Sequence, residues 1–307
     1  MTAGASTIEK AAKSEKQRAA LSSVLAAIGL TTFKIIVGIM TGSLGILSEA
    51  AHSGLDLVAA LVTFFAVRVS DKPADERHRY GHGKVENFSA LIETLLLLVT
   101  CIWIIYEAIK RSFFEDVEVD ASVWAFLVMG ASIIIDFSRS RILMRAARKY
   151  NSQALEADAL HFSTDILSSS VVILGLFGVL ISEKISQLEF LAKTDSLAAL
   201  IVALIVIVVS YRLGRRSIRG LLDSAPDGLA DNIERTVEAI PGVLECHQVR
   251  VRTAGPQTFV DIHVVMDGAL SLEKAHQLTE LIEKAVQQMA FRADVTVHAE
   301  PLEPAKP

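Results

Sequence analysis

Glu49-Ala50-Ala51-His52-Ser53-Gly54-Leu55-Asp56-Leu57 lies within one apolar stretch, and Asp158-Ala159-Leu160-His161-Phe162-Ser163-Thr164-Asp165-Ile166 lies within another. Both spell acid-Ala-x-His-x-x-x-Asp-aliphatic, an internal near-repeat. Residues four apart on a helix sit ~5–6 Å apart on one face, so each segment presents an imidazole beside a carboxylate. Ionisable groups inside an apolar span are costly and mark function there by default. Two such helices facing each other offer two nitrogen and two oxygen ligands, a set that tetrahedral Zn²⁺ accepts at ~2.0–2.2 Å. A single His–Asp pair is also explained by an intramembrane hydrogen bond between helices. The recurrence of type and spacing in two spans favours the ligand reading.

Around these segments the chain is strongly apolar. Of 307 residues, 51% are hydrophobic and 21% charged, and mean hydropathy is +0.43. That content excludes disorder, and two distant cysteines, Cys101 and Cys246, exclude a disulfide scaffold. A net charge of −5 offers no basic surface for nucleic acid. A bilayer core of ~30 Å needs about 20 mostly apolar residues per helix. Six stretches meet that need: 21–40, 44–67, 88–106, 123–143, 160–181 and 191–211. The first is too long for a secretory signal peptide and has no clean cleavage site.

Orientation follows from lysine and arginine near the spans. Lys10, Lys13, Lys16 and Arg18 precede the first. Arg68, Lys72, Arg77, Arg79 and Lys84 follow the second. Arg139, Arg141, Arg145, Arg148 and Lys149 follow the fourth, and Arg212, Arg215, Arg216 and Arg219 leave the sixth. The alternate connections are uncharged at Thr41-Gly42-Ser43 and acidic at Glu115-Asp116-Val117-Glu118-Val119-Asp120. Both termini are therefore expected in the cytoplasm. Four regions result: a cytoplasmic N-terminal segment at 1–18, a six-helix transmembrane domain at 19–219, a cytoplasmic domain at 220–301 and a disordered tail at 302–307.

The cytoplasmic domain reads α-β-β-α-β. Residues 229–240 have helical spacing, and 245–252 and 258–266 alternate like strands around the turn signal Thr253-Ala254-Gly255-Pro256-Gln257. Residues 271–289 form an amphipathic helix with Ser271 as N-cap, and 294–298 a last strand. In the second cytoplasmic loop, Asp75, His78 and His82 form another ligand-like set, with Gly81 and Gly83 free to bend the backbone; a solvated polar loop is the plainer account. Lys34, Glu93 and Asp136 also lie inside spans. Lys34 is long enough to snorkel, and the other two have no role assigned beyond polar packing or proton access.

The paired His52/Asp56 and His161/Asp165, the Arg79-Tyr80-Gly81-His82-Gly83-Lys84-Val85-Glu86 loop and the α-β-β-α-β tail together make the chain resemble the cation diffusion facilitator family, from about Arg18 to Pro301. The resemblance implies a homodimeric exporter that exchanges cytoplasmic divalent metal for protons in a bacterial inner (plasma) membrane. It implies a transport site at His52, Asp56, His161 and Asp165 and a loop site at Asp75, His78 and His82. A further set lies in a metallochaperone-like domain at His247, His263, His276 and His298, with Glu300 where relatives often carry Asp. It also implies a charge pair, Lys84 with Asp223, that locks the bundles of the dimer; two solvated interfacial charges are the alternative. Cys246 beside His247 is an extra soft ligand or simply a buried side chain. On this reading all eight histidines sit at metal positions.

Two histidines in the membrane set favour Zn²⁺, transported and regulatory, over the harder Mn²⁺. An exporter of broader range (Cd²⁺, Co²⁺, Fe²⁺, Mn²⁺) and a membrane-anchored metal sensor without transport are the rivals. No His-Glu-x-x-His supports an intramembrane protease and no P-loop supports a nucleotide-driven pump, so enzyme activity is not expected. A closed four-ligand cage holds ions too tightly for a passive channel.

Overall fold

The computed structural model describes residues 3–113, 123–182 and 191–302. Six long helices come first: α1 (Ala3–Thr41), α2 (Leu44–Ser70), α3 (Lys84–Phe113), α4 (Val123–Tyr150), α5 (Gln153–Ser182) and α6 (Leu191–Leu221). Then follow α7 (Leu229–Glu238), β1 (Val243–Ala254), β2 (Gln257–Met266), α8 (Leu272–Met289) and β3 (Ala293–Pro301). Among the described residues, four helices are long and apolar enough to cross a membrane, at 11–41, 45–70, 84–103 and 123–150. Both α5 and α6 pack alongside them. The acidic segment 115–120 and residues 303–307 of the tail lie outside the described residues. Leu302 still donates its amide to the Met266 carbonyl, so the sheet's hydrogen bonding reaches into the tail expected to be disordered.

The helices extend well past the apolar windows. The N-terminal segment is helical from Ala3, and the basic residues expected in loops after the fourth and sixth spans belong to α4 and α6. Hydropathy marks where lipid-compatible side chains end. Lys and Arg are good helix formers, and at a helix C-terminus their charge complements the macrodipole, so the backbone continues.

Neighbouring helices pair closely: α1 with α2, α3 with α6, α4 with α5. Small residues make the approach possible. Ala19 and Ala20 of α1 meet Ala146 and Ala147 of α4 and Ala154 and Ala159 of α5 in one buried cluster around Leu143, Leu155 and Phe162. A second cluster joins Leu97 and Cys101 to Val202, Ala203 and Val206. Ile35, Ile36, Ile39, Leu95, Val99, Ile102 and Trp103 face outward, as they should against lipid.

Lys16 is not a solvated loop charge. It is 1% exposed, and its Nζ contacts Asp71 Oδ1 at 2.5 Å and Glu86 Oε1 at 3.1 Å. Ser70 Oγ donates to the same Glu86 oxygen, Ser152 Oγ donates to Oε2, and Lys13 donates to the Asp71 carbonyl. This ionic knot ties α1, the end of α2, the start of α3 and the α4–α5 turn together at the end of the bundle nearest the small domain.

In the small domain the sheet order is β1-β2-β3, with β1 antiparallel and β3 parallel to β2. Gly255, at φ +58°, opens the two-residue connection of the hairpin, a position that needs positive φ. Ser271 caps α8 as expected, accepting from the Lys274 amide. Ile233 and Val237 of α7 and Ile282 and Val286 of α8 cover Val251, Val260, Ile262, Val264 and Met266 on one face of the sheet. The other face is mostly polar, with Phe259 and Val265 among His263, Asp261 and their neighbours. The hairpin tip rests on the bundle: Asn87 Oδ1 accepts the Gly255 amide at 2.8 Å, Asn87 Nδ2 donates to Gln153 Oε1, and Gly83 lies against Ala254 and Gly255 with no room for a Cβ.

Removing one member of a buried ion pair leaves its partner uncompensated, at about 3–5 kcal/mol. Lys16→Met strands the carboxylates of Asp71 and Glu86, and a loss of that order is expected, read as a lowered thermal unfolding midpoint of the detergent-purified protein. An unchanged midpoint would show that the knot contributes no net stability.

Candidate metal centre

α2 enters the bundle from the end far from the small domain and α5 from the near end, so the two repeat segments run antiparallel. Each histidine therefore meets the other helix's aspartate. His161 Nε2 lies 3.2 Å from Asp56 Oδ1 and His52 Nε2 lies 3.7 Å from Asp165 Oδ1. Within each helix the i,i+4 pairs close the set, at 3.8 Å for His52–Asp56 and 3.5 Å for His161–Asp165. A tetrahedral ion with ligand bonds of ~2.0–2.1 Å sets its ligands roughly 3.3–3.4 Å apart. The four observed contacts of 3.2–3.8 Å bracket that value, with His52 and His161 meeting different oxygens of Asp165. Ligand atoms of His52, Asp56 and Asp165 all lie within 4.8 Å of one another.

Burial differs around the ring. Asp56, His161 and Asp165 are 7%, 3% and 9% exposed, whereas about a third of the His52 side chain is open. A cavity of about 40 Å³ touches His52, Asp56 and Asp165, and its other walls are Lys34, Glu49, Met129, Asp136, Ser168 and Ser169. Except for Asp136, these walls lie outward of the ligands along their helices, away from the small domain. In the opposite direction the path is filled. Arg139 stacks 3.5 Å above the Phe162 ring and donates to Asp136 and Ser23, and Ser23 Oγ donates to the buried Asp158. The knot around Lys16 lies beyond.

Lys34 does not snorkel. Its Nζ donates to Glu49 Oε2 at 3.2 Å and Ser53 Oγ at 2.9 Å, so its charge is met by a carboxylate one turn from His52. Glu93 is fully buried and accepts from Thr63 Oγ1 at 2.9 Å; its other oxygen faces His161 Nδ1 at 3.9 Å. Glu49 and Asp158, the matching first acids of the repeat, part company. The antiparallel arrangement sends one to the open cavity and the other into the sealed side.

The loop set is also drawn together. Asp75 carboxylate oxygens lie 3.2 Å from His78 Nδ1 and 3.3 Å from His82 Nε2. Amides of His78 and Arg77 donate to Asp75 Oδ1, and these donors, the His78 amide foremost, hold the carboxyl below its usual range. Gly81, at φ +79°, donates its amide to the His78 carbonyl, which turns the loop so that His82 returns to Asp75.

On the polar face of the sheet, His247, His263 and His298 occupy one row, paired in register across all three strands. Glu300 stands at its centre: Oε1 is 2.7 Å from His263 Nδ1 and 3.6 Å from His298 Nε2, and Oε2 is 3.4 Å from His247 Nε2. The hydrogen bond to His263 holds the Glu300 carboxyl below the ordinary range, with all three imidazoles adding to the effect. Ligand atoms of His247, His263 and Glu300 lie within 4.8 Å of one another. His276 is outside this group, exposed on α8 and 3.7 Å from Glu280. Cys246 points into the apolar core, where burial and nearby Glu234 and Glu238 push its thiol up to about 11, so it does not join the row. Lys84 Nζ reaches Asp223 Oδ2 at 3.0 Å within one protomer, joining the start of α3 to the end of α6.

Of these features, the row across the sheet follows from strand register, and the His78/His82 spacing was readable directly. Lys34–Glu49, Glu93–His161 and the Lys16 knot are contacts between helices, which a linear reading does not pair.

Residues 20–222 match the model of the cation efflux transmembrane domain, and residues 225–302 match that of the cation efflux protein, cytoplasmic domain. The chain is 30% identical over 288 residues to the cation-efflux pump FieF of Serratia proteamaculans. It is 31% identical over 286 residues to that of Yersinia enterocolitica, each comparison covering 92% of both chains. Among solved structures, the metal-bound C-terminal domain of the CzcD transporter from Thermotoga maritima is similar at 34% identity, covering 25% of this chain and 92% of that one with a TM-score of 0.24. Two matched domains in order, over nearly the whole length, establish that the chain belongs to the cation diffusion facilitator family, whose members are membrane transporters of metal cations and not enzymes.

Proposed function

We propose that this protein exports divalent metal, zinc foremost, from the cytoplasm in exchange for protons. It does so as a homodimer of six-span protomers with both termini in the cytoplasm of a bacterial inner membrane. One observation carries the reading: two antiparallel His-x-x-x-Asp helices bring two imidazoles and two carboxylates into cross-helix contact at 3.2 and 3.7 Å, with His52, Asp56 and Asp165 lining a cavity. Two nitrogens and two oxygens suit borderline-soft Zn²⁺ better than Mn²⁺, which prefers oxygen. Metal coordination requires unprotonated ligand atoms, so protons and metal compete for the same four groups. With the positive ends of the helices inside, the cavity faces outward, and the filled side is the one that must open to load metal.

Asp56→Ala and Asp165→Ala are each expected to abolish zinc flux into proteoliposomes while leaving the size-exclusion profile intact. Wild-type flux in both would remove the site assignment. Stoichiometric zinc binding without flux in the wild type would favour a sensor, and equal rates for Zn²⁺, Cd²⁺, Co²⁺, Fe²⁺ and Mn²⁺ a broad-range exporter.

Proton coupling makes a separate prediction. Acidifying the compartment that receives the metal is expected to accelerate export and to alkalinise it as metal arrives. Flux indifferent to the pH difference would leave metal export without antiport.

The cytoplasmic domain is read as a regulatory zinc module that tightens the dimer, with Asp75, His78 and His82 as a second acceptor. Within one protomer the ligands converge on Glu300 and His263, while His276 is available only on the surface of α8. In a protein lacking the transport ligands (Asp56→Ala with Asp165→Ala), His263→Ala should weaken calorimetric zinc binding more than His276→Ala. The reverse order would place the ion between protomers at α8.

A further inference from the structure

The ligand His161 has two ring nitrogens, and the sites described so far use one of them. Nε2 faces Asp56 and Asp165. Nδ1 is buried without a hydrogen-bond partner. The atom facing it, 3.9 Å away, is Glu93 Oε2, itself buried and without a partner. The other Glu93 oxygen is fixed by Thr63 Oγ1 at 2.9 Å, and both residues are fully buried. Two unmatched polar atoms pointed at each other in a sealed interior are an incomplete contact, since a buried polar group without a partner costs ~1–3 kcal/mol. A hydrogen bond needs N···O near 2.9 Å, so about 1 Å of approach completes it.

We propose that Glu93 is the positioning residue of the transport site: it accepts Nδ1–H of His161, which fixes the tautomer and presents Nε2, with its lone pair, to the metal. A histidine ligand characteristically donates its second nitrogen to a carboxylate or carbonyl, and losing that partner typically costs 10–100-fold in metal affinity or activity. Thr63 is the anchor that keeps the acceptor aimed. Glu93 touches no metal; it acts through His161 and joins a third helix, α3, to the α2–α5 pair. His161 is therefore braced from behind in the most buried part of the ring, whereas His52 stands at the open side. The inference rests on His161 being a transport ligand.

The test compares Glu93→Gln, which keeps an acceptor oxygen at the same reach, with Glu93→Met, which keeps the volume and removes it. Zinc flux in proteoliposomes is measured against zinc concentration, with Asp165→Ala alongside. Glu93→Met is expected to raise the flux KM roughly 10–100-fold, and Glu93→Gln to restore it to within about threefold of wild type, a rescue that a purely packing role would not separate. Wild-type KM in Glu93→Met, or equal losses in both variants, overturns the proposal; the second result would mean that charge, not an acceptor, is required. Active Asp165→Ala would instead overturn the transport site itself. Should Glu93→Met fail to fold, nitrogen-15 histidine NMR of the zinc-loaded wild type, assigned by difference with His161→Asn, decides the matter. Metal on Nε2 with a proton on Nδ1 supports the proposal, and metal on Nδ1 refutes it.

Discussion

An ionisable side chain in a medium without water must find its counterpart within the protein, and the bundle is organised around that constraint. Lys34 answers Glu49, Arg139 answers Asp136 and Lys16 answers Asp71 and Glu86, each across or along helices that otherwise present alanine, leucine and valine. The uncompensated cost of such groups is several kcal/mol each, so the pairings between helices, at Lys34 and Lys16, constrain which helices are neighbours and at what depth. Among the described residues of the bundle, His52, Asp56 and Asp165 are the group whose ligand atoms gather within 4.8 Å of one another, with His161 beside Asp56 and Asp165.

That arrangement divides the protein into an open side and a closed side. The open side is polar and shallow, with Ser168, Ser169, Lys34 and Glu49 along the cavity. The closed side holds a stacked guanidinium, a buried carboxylate and the ionic knot. Under the proposed exchange the closed side must separate, and separation there means rehydrating charges rather than only parting apolar surfaces. Rehydration lowers the cost of charge, so the same groups that lock the helices are tolerable when they come apart.

Much of this was legible in the amino-acid order. The near-repeat around His52 and His161 announced an imidazole and a carboxylate side by side on each of two helices, because i,i+4 spacing on a helix is a local property. The turn at Gly255, the Ser271 cap and the order of strands were likewise local. What stayed hidden depended on which helix lies beside which. Lys16 looks like one more inside-positive charge, Lys34 like a snorkelling one, and Glu93 like an unexplained polar residue, until α1, α2, α3 and α5 are set in place. The ends of α4 and α6 were hidden for another reason: hydropathy reports the solvent and not the backbone.

Asn87 accepts the amide of Gly255 at the hairpin tip and donates to Gln153 on α5. The tip is thereby a fulcrum, and the hairpin a lever fixed to α3 at one end. His247 lies eight residues along β1 from Gly255, at most about 26 Å at about 3.3 Å per residue, since the strand is bulged between His247 and Arg250. A tilt of about 5° at the fulcrum moves that end by about 2 Å, close to the length of one zinc–nitrogen bond. His247, His263, His298 and Glu300 belong to one hydrogen-bonded sheet and move together, so a rotation too small to notice in the helices relocates the whole ligand row while keeping its internal spacing.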